Sequence, residues 1–118
     1  MRSSLNYQII RDAIMNCYQV TGYYGGLYRE FCPYRLGQDD EGEYRVFAYQ
    51  FGGQTSKGPI VRVGSRENWR CFRLMDISDL QSRPGTWYGT LDPDSSSGRS
   101  QCVTHVDYES ACPKTSIR

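Results

Sequence analysis

The stretch Glu43-Tyr44-Arg45-Val46-Phe47-Ala48-Tyr49-Gln50-Phe51 reads as a β-strand. Side chains alternate across a strand, so Tyr44, Val46 and Ala48 share one face while Arg45, Phe47, Tyr49 and Phe51 share the other. Apolar groups on both faces mark a strand covered on both sides, the centre of a sheet. The chain around it is expected to be mostly β.

Towards the N-terminus, Asp39, Asp40 and Glu41 lie between Gly37 and Gly42 and read as an exposed acidic turn. Residues 27–35 form a β-rich run. Pro33 lacks a backbone N–H, which predicts an edge strand or a bulge there. Tyr23-Tyr24-Gly25-Gly26-Leu27-Tyr28 has the glycines of a hairpin turn between two strands. Leu5, Ile9, Ile10, Ala13, Ile14 and Cys17 recur at three- and four-residue spacing, which predicts a helix over about 4–16 with Asn6, Gln8, Arg11 and Asp12 facing solvent. Ser3 or Ser4 would cap it.

Towards the C-terminus, residues 52–66 read as a long loop with a short strand at 60–63. Strands follow at 68–74 and 76–80. Pro84-Gly85 marks a turn before Trp87-Tyr88. Residues 92–100 are a polar Ser/Gly segment expected to be a mobile loop. A last strand is expected at 102–108, and a fraying tail at 110–118. The whole chain, 1–118, reads as a single α+β domain with an N-terminal helix region over 1–19.

Its 118 residues suffice for one core without metal or disulfide staples. Ten tyrosines carry much of the apolar area, so a core with a wet rim or a tyrosine-lined pocket is expected. The net charge of +1 gives no global pull towards nucleic acid or membrane. All basic residues except Lys57 and Lys114 are arginine, the better partner for forked contacts to anions and for stacking on rings. Cys17, Cys32, Cys71, Cys102 and Cys112 are scattered, and no apolar leader precedes them. That predicts a reducing, cytoplasmic setting in which Cys32 and Cys71 are small buried residues. No window offers the ~18 apolar residues of a membrane span.

Most catalytic patterns are missing. Gly52-Gly53-Gln54-Thr55-Ser56-Lys57-Gly58 follows a strand, but it lacks the Gly-Lys-Ser/Thr ending of a phosphate loop, and Pro59 follows where a helix should begin. It reads as a flexible hairpin connection. No Cys-x-x-Cys pair offers zinc ligands, and Cys102 and His105 point to opposite faces of a strand. His105, the sole histidine, shares a face with Asp107, yet no Gly-x-Ser-x-Gly elbow supplies a nucleophile. No catalytic residue, metal or cofactor is expected.

One pattern recurs: Tyr28-Arg29, Tyr34-Arg35, Tyr44-Arg45, Trp69-Arg70 and Phe72-Arg73. On a strand each pair buries a ring on one side and shows a guanidinium on the other. Arg29, Arg45 and Arg70 would gather on one surface if their strands pair in suitable register. Arginines interleaved with rings suit nucleobases or small anions.

Arg29-Glu30-Phe31-Cys32-Pro33, then Gly42 to Tyr49, then Trp69-Arg70-Cys71-Phe72-Arg73-Leu74-Met75-Asp76-Ile77 follow an order that resembles the WYL domain, over about residues 9–80. By position, Arg29 matches the family arginine before proline, Tyr44-Arg45-Val46 the signature tripeptide, and Arg70 the arginine before phenylalanine. The tripeptide departs from Trp-Tyr-Leu, and Asp76 stands where the family commonly has arginine. The resemblance implies an SH3-like or Sm-like bent barrel with a helix against it, extended here by extra C-terminal strands. It further implies a non-enzymatic regulatory module in bacterial transcription regulation or phage defence. The ligand would be nucleotide-like, another small anion, or single-stranded nucleic acid, bound by Arg29, Tyr44, Arg45, Tyr49, Trp69, Arg70 and Arg73. Two other readings stand beside it: a protein-interaction or homodimer module without a small ligand, and a small hydrolase using His105.

Overall fold

In the computed structural model, residues 2–60, 63–90, 102–113 and 115–116 are described. The expected loop at 92–100 lies outside them. The chain is mostly β with one N-terminal helix, and its main sheet is antiparallel and curled into a half-barrel.

The strand read first is central. It forms β3 (Tyr44–Thr55), between β2 (Leu27–Gln38) on one side and β4 (Gly58–Pro59) and β5 (Trp69–Arg73) on the other. β1 (Gln19–Tyr24) pairs with β2 and with β6 (Ile77–Arg83). Gly25 and Gly26 join β1 to β2 with φ of 62° and 76°, the left-handed pair of a two-residue hairpin turn.

β2 is not an edge strand. Pro33 sits at a bulge, where the β2–β3 register slips between Pro33 and Arg35; a second slip falls between Glu30 and Phe31. Bulges bend and twist a strand, which helps the sheet curl. The N-terminal half of β2 pairs with β1, and its C-terminal half pairs with β8 (His105–Glu109).

Strand alternation in β3 divides the interior. Val46 and Ala48 face a cluster with Phe31, Leu36, Phe72 and the helix. Phe47 and Tyr49 face a second cluster with Cys32, Tyr34, Trp69 and Trp87. Each large side chain buried in this way contributes roughly 1.5–3 kcal/mol.

Helix α1 (Arg2–Asn16) covers the first cluster with Ile10, Ala13 and Ile14. Leu5 remains 58% exposed, whereas Asn6, expected in solvent, is buried. Its Nδ2 donates to the carbonyls of Leu74 and Ile77 at 3.0 and 2.9 Å. The helix is rotated towards the 3-10 turn at Leu74–Asp76, whose open carbonyls need donors. Cys17 ends the helix at φ 58°, and the Tyr18 N–H donates to the Ala13 carbonyl.

Four of the five cysteines pair: Cys17 with Cys112, and Cys71 with Cys102. Cys71 was expected as a free core thiol; Cys32 alone remains free and buried. The segment after Ser110, expected to fray, is anchored at several points. Ser110 N–H donates to the Tyr34 carbonyl, Cys112 is bridged, and β9 (Thr115–Ser116) pairs in parallel with β7 (Tyr88–Gly89). No helix among the described residues is long and apolar enough to cross a membrane.

Candidate anion-binding cleft

Beside the first cluster, Tyr24, Arg29 and Phe72 surround one opening together with the turn Thr55-Ser56-Lys57 and with Glu67, Arg70 and Cys71. Together they line a cleft of about 550 Å³, within the usual range of small-ligand sites.

Arg29 is only 7% exposed. It projects from β2 on the side of Phe31, between two rings: its guanidinium carbon lies 5.6 Å from the Tyr24 ring centroid and 5.7 Å from that of Phe72. Those rings meet edge to face at 4.9 Å. Nη1 donates to Gln50 Oε1 and Nη2 to the Tyr24 carbonyl, both at 3.2 Å, while the buried Nε has no partner. No carboxylate among the described residues pairs with it. Burial lowers its pKa because the charged form loses hydration, although arginine remains charged at any ordinary pH.

Of the segment Gly52 to Gly58 compared with a phosphate loop, Gly52 to Thr55 continue β3, so the loop expected over 52–66 starts later than its glycines suggest and only Ser56-Lys57 turn the chain into β4. The hairpin reading holds: β3 turns directly into β4. Thr55 Oγ1 donates to the Gly58 carbonyl and accepts from the Lys57 N–H. Its role in lining the cleft was missed, because sequence alone does not show how far β3 curls back over β2. Gly53 makes that approach possible. It has φ of +82°, and a Cβ there would collide with the Tyr28 carbonyl.

Of the residues expected to bind ligand, the fold brings Arg29 and Arg70 to this cleft. Arg70 also donates to the carbonyls of Glu67 and Trp69. Arg45 lies elsewhere, in an ion pair with Asp39 at 3.1 Å, and Arg73 pairs with Glu43 at 2.9 Å and Asp76 at 3.4 Å. Tyr44 packs edge-on against Tyr7 of the helix. Tyr49 and Trp69 are core residues of the second cluster, 0% and 2% exposed. Burial pushes the Tyr49 hydroxyl up to about 12. His105 is exposed on β8, and the Asp107 carboxylate beside it accepts from Tyr7 Oη at 2.8 Å. The other lining residues among those described, Tyr24, Phe72, Cys71, Glu67 and the turn Thr55-Ser56-Lys57, were not among the residues expected to bind ligand.

Comparison with family models, with curated proteins and with solved structures gave no match.

Proposed function

We propose that this protein is a non-enzymatic binding module whose ligand is a small anion, nucleotide-like in combining charge with a ring, seated in the Arg29 cleft. One observation carries the reading: a buried guanidinium without a carboxylate partner lines an open cleft beside two aromatic rings. Removing a cation from water costs several kcal/mol unless a counter-charge restores the loss. An incoming anion would supply that charge through charge-assisted hydrogen bonds worth about 1.5–3 kcal/mol each.

The curled sheet and the position of Arg29 are compatible with the WYL-like, SH3-like plan expected from the motifs. The site is narrower than that resemblance implies, because Arg45 and Arg73 are engaged with carboxylates. The disulfides also shift the expected setting. Such bonds persist in oxidising surroundings and are rare in the cytosol, so Cys17–Cys112 and Cys71–Cys102 favour an oxidising compartment over the cytoplasm.

A thermal-shift screen against mononucleotides and short single strands tests the reading, run in parallel with Arg29→Gln. Ligand-dependent stabilisation follows mass action and is expected in the parent protein only. Equal stabilisation of both proteins would place the ligand elsewhere.

A further inference from the structure

Gln50 is fully buried in the strand that faces Arg29. Its Oε1 accepts from Arg29, and its Nε2 donates to the carbonyls of Gly52 and Gln54, both at 2.9 Å. One side chain therefore ties Arg29 to the strand end that carries the Lys57 turn. It is an amide where a carboxylate of the same shape would neutralise the guanidinium. Lys57 likewise makes no ion pair among the described residues. Among the described residues, the cleft lining holds three cations, Arg29, Lys57 and Arg70, against one carboxylate, that of Glu67, a formal surplus of two positive charges.

We infer that the cleft selects a dianionic head group, of the phosphate monoester type, and that Gln50 is the positioning residue that holds Arg29 and Lys57 on it without neutralising either. The inference rests on the anion-binding reading of the cleft. A phosphate monoester is close to doubly charged at and above neutral pH, and a pair of its oxygens can accept two parallel N–H bonds from a guanidinium. A carboxylate or a phosphodiester brings a single charge and would leave half of that surplus unmet.

Calorimetric titration of the full chain at pH 8 with phenyl phosphate and with benzoate separates the two levels. Both carry a ring, but only phenyl phosphate is a dianion. Phenyl phosphate is expected to bind at least tenfold more tightly. Lys57→Ala, on an exposed turn, should reduce that preference to less than threefold. Gln50→Glu, which sets a carboxylate against Arg29, should weaken phenyl phosphate at least tenfold while the circular dichroism spectrum stays native. If Gln50→Glu does not fold, Lys57→Ala and the ratio of the two affinities decide the matter. Equal binding of the two probes overturns the dianion inference and leaves the anion site standing. Unchanged phenyl phosphate affinity in a folded Gln50→Glu protein overturns the role of Gln50. Binding of neither probe overturns the inference together with the reading on which it rests.

Discussion

Phe47 and Trp69 lie face to face, with ring centroids 4.8 Å apart and planes within 8° of parallel. They project from adjacent strands, and Trp69 also meets Tyr34 and Tyr49 edge-on at 4.8 and 4.9 Å. Its indole N–H donates to Thr90 Oγ1 at 2.8 Å. Trp69 is thus the hub of the second cluster, joining three strands to the segment after β7.

Trp69→Ala should therefore cost about 3–5 kcal/mol, the usual penalty for emptying a large aromatic site. Urea unfolding at constant slope measures it. A loss below about 1 kcal/mol would show that the cluster collapses around the gap and that Trp69 is not its hub.

Arg29→Met should behave in the opposite way. It removes a buried charge without a carboxylate partner and keeps much of the volume; the several kcal/mol of desolvation recovered should outweigh the about 1–3 kcal/mol lost where the Gln50 and Tyr24 oxygens are left without their donor. Anion binding should vanish in the same variant. A protein that gains stability as it loses its ligand is the signature of a group held for function. Marked destabilisation would assign Arg29 to the scaffold.

The Cys17–Cys112 bridge spans 95 residues of chain. Closing a loop of that length is worth roughly 4–5 kcal/mol in the chain-entropy account. Cys17→Ser with Cys112→Ser should lower the unfolding free energy by about 2–5 kcal/mol. Peptide mapping without reductant checks the pairing first: trypsin combined with a protease that cuts after Glu109 parts Cys102 from Cys112, and the fragments holding Cys17 and Cys112 should then run together and separate on reduction.

Burial pushes the Cys32 thiol up to about 12. In the unfolded chain a thiol loses its proton near pH 8.5. Between these values the unfolded state binds fewer protons than the native one, so the contribution of this group to stability is complete below about pH 8.5 and declines as pH rises. Iodoacetamide, which needs the thiolate, should leave Cys32 unmodified at pH 8.5 in the folded protein and label it fully in denaturant. Rapid labelling of the native state would place Cys32 at the surface.

Much of the fold was legible in the sequence. The alternation from Tyr44 to Phe51 fixed a central strand with two covered faces, and two clusters lie on those faces. Gly25-Gly26 announced its turn, and Pro33 its bulge, though not the partners that make β2 interior. The site was legible only in part. Arg29 and Arg70 reach the cleft, but choosing among the aromatic–arginine pairs requires knowing which guanidinium finds a carboxylate. Arg45 finds Asp39 in the acidic turn and Arg73 finds Glu43 across the sheet, and neither encounter is written in spacing. The disulfides were missed for the same reason, since five scattered cysteines carry no record of which strands bring them together.

The division of one edge of β2 between β1 and β8 has a consequence for assembly. A hairpin with β1 can zip as soon as residues 19–38 exist, yet the partner of Arg35–Gln38 is encoded some seventy residues later, at His105–Glu109. Until β8 arrives, the upper half of β2 presents bare amides and carbonyls, a template for mispairing with another chain. Such distant closure is intrinsically slow. A nascent chain stopped before His105 is therefore expected to be the species most in need of chaperone protection, and the arrival of β8 to be the step that commits the molecule.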